Sequence, residues 1–143
     1  MSHALARTMA TDMDDLSAPY HAHIYYTAAT RAAAASLRDR LRALDVAQGD
    51  PALAFVGQMR DHKVGPHPEP QFEIHFAKAT LPEILPILDA CGLRVLVHPL
   101  TDDDLADHTR LGVWIGEPLA LDLNTLDPPG VNQGIPRFGK TDF

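Results

Sequence analysis

Apolar residues alternate with polar ones in several short segments of this chain. Residues 20–26, 72–76 and 93–98 each carry an apolar side chain at every second position, which is the pattern of a β-strand that buries one face. Residues 53–59 and 111–115 are short, largely apolar runs, and they predict two more strands. The chain is therefore expected to contain five strands.

A different spacing predicts helices between these strands. Apolar side chains in residues 28–44 recur every three or four positions, as on the buried side of an amphipathic helix, and Thr27 or Thr30 can cap its start. Thr80 and Glu83 have the spacing of a capping box, which predicts that a second helix begins there.

In chain order the first six elements are strand, helix, strand, strand, helix and strand. This is the ferredoxin-like βαββαβ arrangement, an antiparallel fold of the α+β class. Right-handed crossovers place the first strand between the third and the fourth and antiparallel to both. The helices are expected to cover the apolar face of the sheet and to leave its other face open.

The remaining segments complete one predicted domain over residues 19–126. The acidic segment 101–104 caps a further short helix, and residues 111–115 form an extra C-terminal strand. Residues 1–18 are expected to be a flexible N-terminus. The Pro- and Gly-rich residues 127–143 have no periodicity and are expected to form an arm laid over the domain.

Composition narrows the class of partner. An apolar content of 45% in 143 residues is enough for one core. The 12 Lys and Arg residues stand against 19 Asp and Glu, a net charge of −7, with no basic run, so nucleic acid is excluded as a partner. No stretch has the roughly 20 apolar residues of a membrane span, and the first residues lack a signal peptide. We therefore expect a cytoplasmic protein without a membrane partner.

The candidate chemistry lies on the predicted strands, where four histidines and one glutamate occur at even spacing. They are His21, His23, Glu73, His75 and His98. Residues two apart on a strand share a face, and the predicted strand order brings the three segments together. Neutral imidazole with carboxylate suits Fe(II), Zn(II) or Mn(II). The sequence therefore predicts a metal site on the face that the helices leave open.

A catalytic metal needs only three protein ligands, because it keeps positions for substrate. The five candidates exceed that number. We expect His23 and His98 to be ligands first, followed by Glu73 and then by His75 and His21. Those not used remain available as acid, base or outer support. A polar sheet face whose histidines and glutamate pair with one another is the structural alternative.

Four residues outside this set are candidates for the substrate. His67 lies between two prolines, on a stiff segment that can direct it at a ligand oxygen, although an exposed loop histidine would look the same. His108 follows an acidic turn and either joins the site as a catalytic group or only closes that turn. Tyr25 and Trp114 offer ring surfaces for a flat ligand, and such residues also occur in cores and interfaces.

Five motifs then point to a family. They are Tyr-His-Ala-His-Ile-Tyr-Tyr (20–26), Gly-Pro-His-Pro (65–68), Val-Leu-Val-His-Pro-Leu-Thr (95–101), Asp-His-Thr (107–109) and Trp-Ile-Gly-Glu-Pro-Leu (114–119). With these motifs in this order, the chain resembles the DOPA 4,5-dioxygenase family of small aromatic ring-opening enzymes over about residues 19–123.

The resemblance implies a non-haem Fe(II) enzyme that opens a catechol ring next to a hydroxyl group with O2, an extradiol-type cleavage. The histidines characteristic of the family match His23, His67, His98 and His108. The implied substrates are DOPA or a related aromatic diol, together with O2. Zn or another divalent metal is able to replace iron in a purified sample.

Two other functions fit the same residues. A Zn-dependent hydrolase or isomerase would use the same ligands, because His and Glu do not select iron. A non-catalytic ferredoxin-like binding module would instead cover the open sheet face by forming a homodimer, and its histidines would be incidental. A homodimer is expected under the enzyme hypothesis as well.

Overall fold

The computed structural model describes residues 15–44 and 52–142. Within these residues five strands form one antiparallel sheet in the order β2-β3-β1-β4-β5. The strands are β1 (Pro19–Tyr25), β2 (Phe55–Val56), β3 (Gln71–Ala77), β4 (Val95–Pro99) and β5 (Val113–Ile115). The fold is therefore α+β, and β1 lies between β3 and β4 as the crossover rule predicts.

Four α-helices accompany the sheet in the described residues. They are α1 (Arg31–Arg42), α2 (Leu81–Ala90), α3 (Asp104–His108) and α4 (Gly134–Arg137). The first two lie in the crossovers between strands, α3 follows β4, and α4 belongs to the C-terminal arm. In α3 the predicted acidic cap is confirmed, because the Asp103 carboxylate accepts a hydrogen bond from the backbone N–H of Ala106.

The apolar face of the sheet forms the core with α1 and α2. Alternate residues of the three central strands point to this side and are fully buried, among them Ile24, Ile74 and Val95. The helices contribute Leu41 and Ile84. Each such side chain contributes roughly 1.5–3 kcal/mol when it leaves water. The core therefore lies on the face of the sheet opposite the histidines.

Several predicted elements begin or end elsewhere. The helix predicted over 28–44 is confined to Arg31–Arg42, and the strand predicted over 53–59 is regular only at Phe55–Val56. Beyond β2 the chain still contacts β3, since Gly57 N–H donates to Glu73 O. The next backbone N–H, of Gln58, donates to the Asp142 carboxylate. The arm therefore contacts this edge of the sheet at Gln58.

The predicted caps of α1 and α2 are wrong in detail. Thr80 makes no side-chain cap and has helical angles, φ −86° and ψ −10°, because a 3-10 turn over Lys78–Thr80 runs directly into α2. The N–H groups that a capping box would satisfy are therefore already within a helical segment. Thr30 also makes no cap bond to α1, and its hydroxyl instead accepts from the N–H of Thr27.

The second face of the sheet is not open, so that expectation is wrong. The histidines on it are almost completely buried, because the loop before β3, helix α3 and the arm lie over them. Gly139 N–H donates to His75 Nδ1, and the Asn132 amide donates to Asp107. The arm therefore packs over this face, and its packing removes the exposed surface on which the hypothesis of a dimer through this face depended.

Residues 1–14 of the predicted flexible N-terminus lie outside the described part of the chain. Residues 15–18 pack against the turn after β3, where Lys78 N–H donates to Ala18 O and Ala79 N–H donates to Leu16 O. Among the residues that the structure describes, no helix is long and apolar enough to cross a membrane.

Candidate metal centre

The strand register places all five predicted strand residues on the same face. His21 lies opposite His75 in β3 and opposite His98 in β4. His23 lies opposite Glu73. This agrees with the even spacing in the sequence, since directly opposed residues in antiparallel strands share a face. The loop before β3 adds His67, and α3 adds His108.

These side chains divide into two groups, which His21 links because its ligand atom also lies within 4.8 Å of those of His23 and His98. The first histidine cluster consists of His23, His67, His98 and His108. Its ring centres lie 4.0 Å apart for His23 and His67, 4.2 Å for His98 and His108, and 5.0 Å for His23 and His98. Donor atoms of His23, His67 and His108 all lie within 4.8 Å of one another. This spacing allows several nitrogens to reach one ion.

Three rings of the first cluster are held in the same way through Nδ1. His98 Nδ1–H donates to the carbonyl of Pro99 at 2.8 Å, and His108 Nδ1–H donates to the carbonyl of Asp104 at 2.9 Å. His23 Nδ1–H donates to the amide oxygen of Gln71 at 3.1 Å. Because each partner is an acceptor, the proton of the neutral ring is on Nδ1. All three Nε2 atoms then carry lone pairs.

Two of these lone pairs meet directly. Nε2 of His23 lies 2.9 Å from Nε2 of His98, and both residues are 1% exposed. Two unprotonated nitrogens at that distance repel one another unless a cation or a proton lies between them. A buried pair of this kind has the chemistry of a metal site, in which Nδ1 is held by an oxygen and Nε2 binds the ion.

Burial keeps these rings unprotonated. The pKa values of His23 and His98 lie well below the ordinary value of 6.5, first because burial disfavours the charged form and then because other histidines are nearby. The pKa values of His67 and His21 are lowered for the same reasons. A bridging proton is therefore disfavoured at neutral pH, and the lone pairs remain available to a metal.

The second cluster consists of His21, Glu73 and His75, whose donor atoms also lie within 4.8 Å of one another. His75 Nδ1 accepts from Gly139 N–H at 2.9 Å, so its proton is on Nε2, which donates to Glu73 Oε2 at 2.8 Å. Both nitrogens of His75 are thus engaged. His21 stacks on His75 with ring centres 3.9 Å apart and places Nδ1 3.4 Å from Glu73 Oε2.

A cavity of about 160 Å³ opens beside the first cluster, next to His67 and His108. Gln71 also lines it, so the cavity reaches the residue that holds His23. On its other side the wall comes from the end of the chain, through Leu126, Asp127, Gln133 and Arg137. The arm therefore covers the histidines and also shapes the space in front of them.

The aromatic candidates lie at the edge of this site. Tyr25 is buried, and its hydroxyl lies 2.6 Å from His67 Nδ1. Trp114 is partly buried and stacks on Tyr25 with ring centres 5.7 Å apart. Trp114 also lines a second, larger cavity that His108 borders. The structure thus connects both aromatic residues to the first cluster through His67 and His108.

Sequence reasoning missed three residues of the site. Gln71 lies two positions before Glu73 on the same strand face, so the even spacing that identified Glu73 could have identified it. Asp104 lies four positions before His108, the separation of neighbours along one helix face. Arg137 comes from the arm, where the sequence carries no period and offers no comparable signal.

The chain is thus an α+β domain with a cluster of buried imidazoles beside a small cavity. Residues 20–125 match the family described as "Dopa 4,5-dioxygenase family". A protein from Amanita muscaria named DOPA 4,5-dioxygenase is 34% identical over 123 residues, which cover 81% of this chain and 53% of that protein. The chain belongs to the Dopa 4,5-dioxygenase family.

Two further relatives are similar to this chain. An uncharacterised 21.2 kDa protein from Botryotinia fuckeliana is 34% identical over 74 residues, which cover 45% of this chain and 40% of that protein. The crystal structure of a candidate dioxygenase from Nostoc punctiforme superposes with a TM-score of 0.66 at 34% identity, covering 76% of this chain and 90% of that one. The chain spans about half the length of the curated relatives it matches.

Proposed function

We propose that this protein is a non-haem Fe(II) dioxygenase that opens the ring of an aromatic diol with O2 in an extradiol-type cleavage. His23, His98 and His108 would hold the metal. The observation that carries this proposal is the arrangement that these three rings share. In each ring Nδ1–H donates to an oxygen, and Nε2 keeps a lone pair that can bind a metal. Family membership supports the same chemistry.

The donor set fits the implied metal. Three neutral imidazoles suit Fe(II), and they equally suit Zn(II). Three protein ligands are the number that leaves positions for small molecules. Bound Fe(II) would supply the redox chemistry through which O2 reacts with an aromatic diol. The protein would contribute fixed ring orientations and, at His23 and His98, burial that lowers the pKa.

This proposal changes the expected ligand set. His108 replaces the candidates of the second cluster, because neutral His75 cannot accept a hydrogen bond from Gly139 at Nδ1 and also bind a metal through Nε2. Glu73 accepts the hydrogen bond from His75 Nε2–H. We assign Glu73, His75 and His21 to the buried support beneath the site.

The size of the cavity favours a diol with one ring. An engineered apolar cavity of about 150 Å³ holds benzene, and the cavity beside His67 and His108 measures about 160 Å³. Part of its wall lies beyond residue 125, where the family match ends. We therefore expect the arm to influence which diol this chain accepts.

His67 and Trp114 would act on the organic substrate. His67 borders the cavity and is aimed by its hydrogen bond to Tyr25. Trp114 supplies a ring surface beside His108, to which an aromatic substituent can stack. We also propose that the βαββαβ order makes this a ferredoxin-like fold, with β5 as an added strand.

The decisive experiment is an absorbance screen of the protein loaded anaerobically with Fe(II), then mixed in air with a panel of catechols. Ring-opened semialdehydes are coloured, so cleavage appears as a new visible band. The matched control is the same protein loaded with Zn(II), which should bind metal but produce no band. Zn-dependent turnover of an ester or an isomerisable substrate, without a band from the iron form, would replace this proposal by the hydrolase or isomerase alternative.

A further inference from the structure

His67 differs from the other three histidines of the first cluster in the atom that meets its Nδ1. The partners of His23, His98 and His108 are carbonyl or amide oxygens, which accept only. The partner of His67 is the hydroxyl of Tyr25, at 2.6 Å. A phenol hydroxyl is able to donate as well as accept. The tautomer of His67 therefore depends on which of the two groups gives the proton.

The surroundings of Tyr25 decide that direction. Tyr25 and His67 are each 2% exposed, and the Tyr25 hydroxyl makes this one hydrogen bond among the described residues. If His67 donated through Nδ1, the phenol proton would be buried without an acceptor among the described residues, which is unfavourable. The Tyr25 hydroxyl is therefore the donor and His67 Nδ1 is the acceptor.

We propose that Tyr25 is a positioning residue that donates to Nδ1 of His67 and so holds the proton of this ring on Nε2. His67 is then a hydrogen-bond donor to the cavity and not a fourth metal ligand, because a protonated Nε2 has no lone pair. At Nε2, three rings of the cluster therefore carry a lone pair, and the fourth, His67, carries a proton. The division follows from whether the group at Nδ1 accepts or donates.

The segment that carries His67 is fixed as well as its ring. The backbone of His67 exchanges hydrogen bonds with Val64, and Asp122 N–H donates to the carbonyl of Pro66. Because these bonds fix the backbone, the hydrogen bond from Tyr25 fixes the remaining rotation of the His67 ring. A donor held in this way suits an anionic oxygen of the ligand, such as a deprotonated diol oxygen. That use rests on the proposed function, whereas the tautomer does not.

The test is a proton–nitrogen correlation measurement on the imidazoles of 15N-labelled protein, without metal and with Zn(II). The His67 signals are assigned by their loss in His67→Gln. We expect a protonated Nε2 and an unprotonated Nδ1 in both states. A proton on Nδ1, or a His67 Nε2 that loses its proton when Zn(II) binds, would overturn the proposal. This readout requires no activity, so it stands whether or not any diol is cleaved.

Tyr25→Phe removes only the hydroxyl that donates to His67. We expect His67 to become a mixture of both tautomers and the metal content of the protein to stay unchanged. Turnover of an accepted diol should fall, because only the fraction of His67 with a proton on Nε2 can then donate to the ligand. The matched control is Tyr26→Phe, since Tyr26 donates to Asp61; this change should leave His67 as in the wild type. An unchanged His67 tautomer in folded Tyr25→Phe would contradict the positioning role.

Discussion

The two histidine clusters lie on the same side of the sheet and are similarly buried, yet they present different chemistry. In the first cluster His23 and His98 turn unprotonated Nε2 atoms toward each other at 2.9 Å. In the second, His75 uses one nitrogen to accept from Gly139 and the other to donate to Glu73. A buried imidazole is thus a potential ligand or a support according to its other hydrogen bond.

The difference arises because the hydrogen-bond partners of these rings come from different distances along the chain. Acceptors for His98 and His108 are backbone carbonyls one and four residues away, so local structure fixes these rings. The donor that engages His75 comes from the arm, 64 residues later in the chain. Whether His75 can bind a metal therefore depends on the arm. Substitutions that separate the two clusters test this comparison directly.

The largest expected effect is the loss of metal from the first cluster. His23→Ala or His98→Ala should abolish stoichiometric Fe(II) binding, because each removes a donor nitrogen. Loss of an outer partner alone costs about 10–100-fold in metal affinity, and loss of a ligand should cost at least the upper end of that range. Metal content after anaerobic loading and gel filtration measures the effect, and circular dichroism establishes that the fold persists.

His75→Gln is the matched control from the second cluster. Its amide can still accept from Gly139 and donate to Glu73, and we expect the metal content to remain stoichiometric. If His75→Gln lost the metal while His98→Ala kept it, the assignment of the two clusters would be reversed.

The next effect is acid sensitivity of the metal-free protein. The pKa values of His21, His23, His67 and His98 are lowered by burial in the folded state. Below about pH 6.5 the unfolded chain binds protons at these positions and the folded chain does not. Stability is therefore fully present above that pH and falls as the pH decreases, by up to about 1.4 kcal/mol per unit for each histidine.

Thermal unfolding of metal-free protein between pH 7.5 and 5 measures this slope. His67→Gln removes one of the four groups without altering the three proposed ligands, and it should flatten the dependence by about one proton. A melting temperature that does not change across this range would mean that the four rings are already protonated or accessible to water in the folded protein.

The sequence predicts the position of the residues in both clusters but not the division between them. Even spacing on strands determines the shared face, and the order of elements determines that β1 lies between β3 and β4. These are local and topological rules that the chain obeys. At that level His75 is equivalent to His23, because both lie at even positions of a predicted strand.

What sequence reasoning could not supply depends on contacts between distant segments. The arm has no periodicity, so neither its cover over the sheet nor the bond from Gly139 to His75 follows from residue order. The same limit explains the wrong expectation of an open face. Gln71 is different, because it lies two positions before Glu73 on the same strand face. Even spacing predicts its position as well as it predicts those of the acid and the histidines.

A third prediction concerns the donor ring of the first cluster. His67→Ala should leave the iron content unchanged and impair turnover by the value of a hydrogen bond to a buried anionic oxygen, about 1–3 kcal/mol. Steady-state kinetics with a cleaved diol, together with metal analysis, measures both quantities. Loss of iron in this variant would make His67 a ligand and would place it with His23 and His98.

The smallest effect should come from Gln71, which supports a ligand without touching the metal. Gln71→Leu removes the acceptor for His23 Nδ1–H and should weaken metal affinity by roughly 10-fold, the lower end of the range for outer partners. Gln71→Glu keeps an oxygen at that position and should bind metal at least as tightly as the wild type, because a carboxylate makes the ring more basic. Competition titration with a chelator ranks the three proteins. Equal affinities would mean that the tautomer of His23 is set by its neighbours and not by Gln71, and the rule that distinguishes the two clusters would then fail at its best-defined ligand.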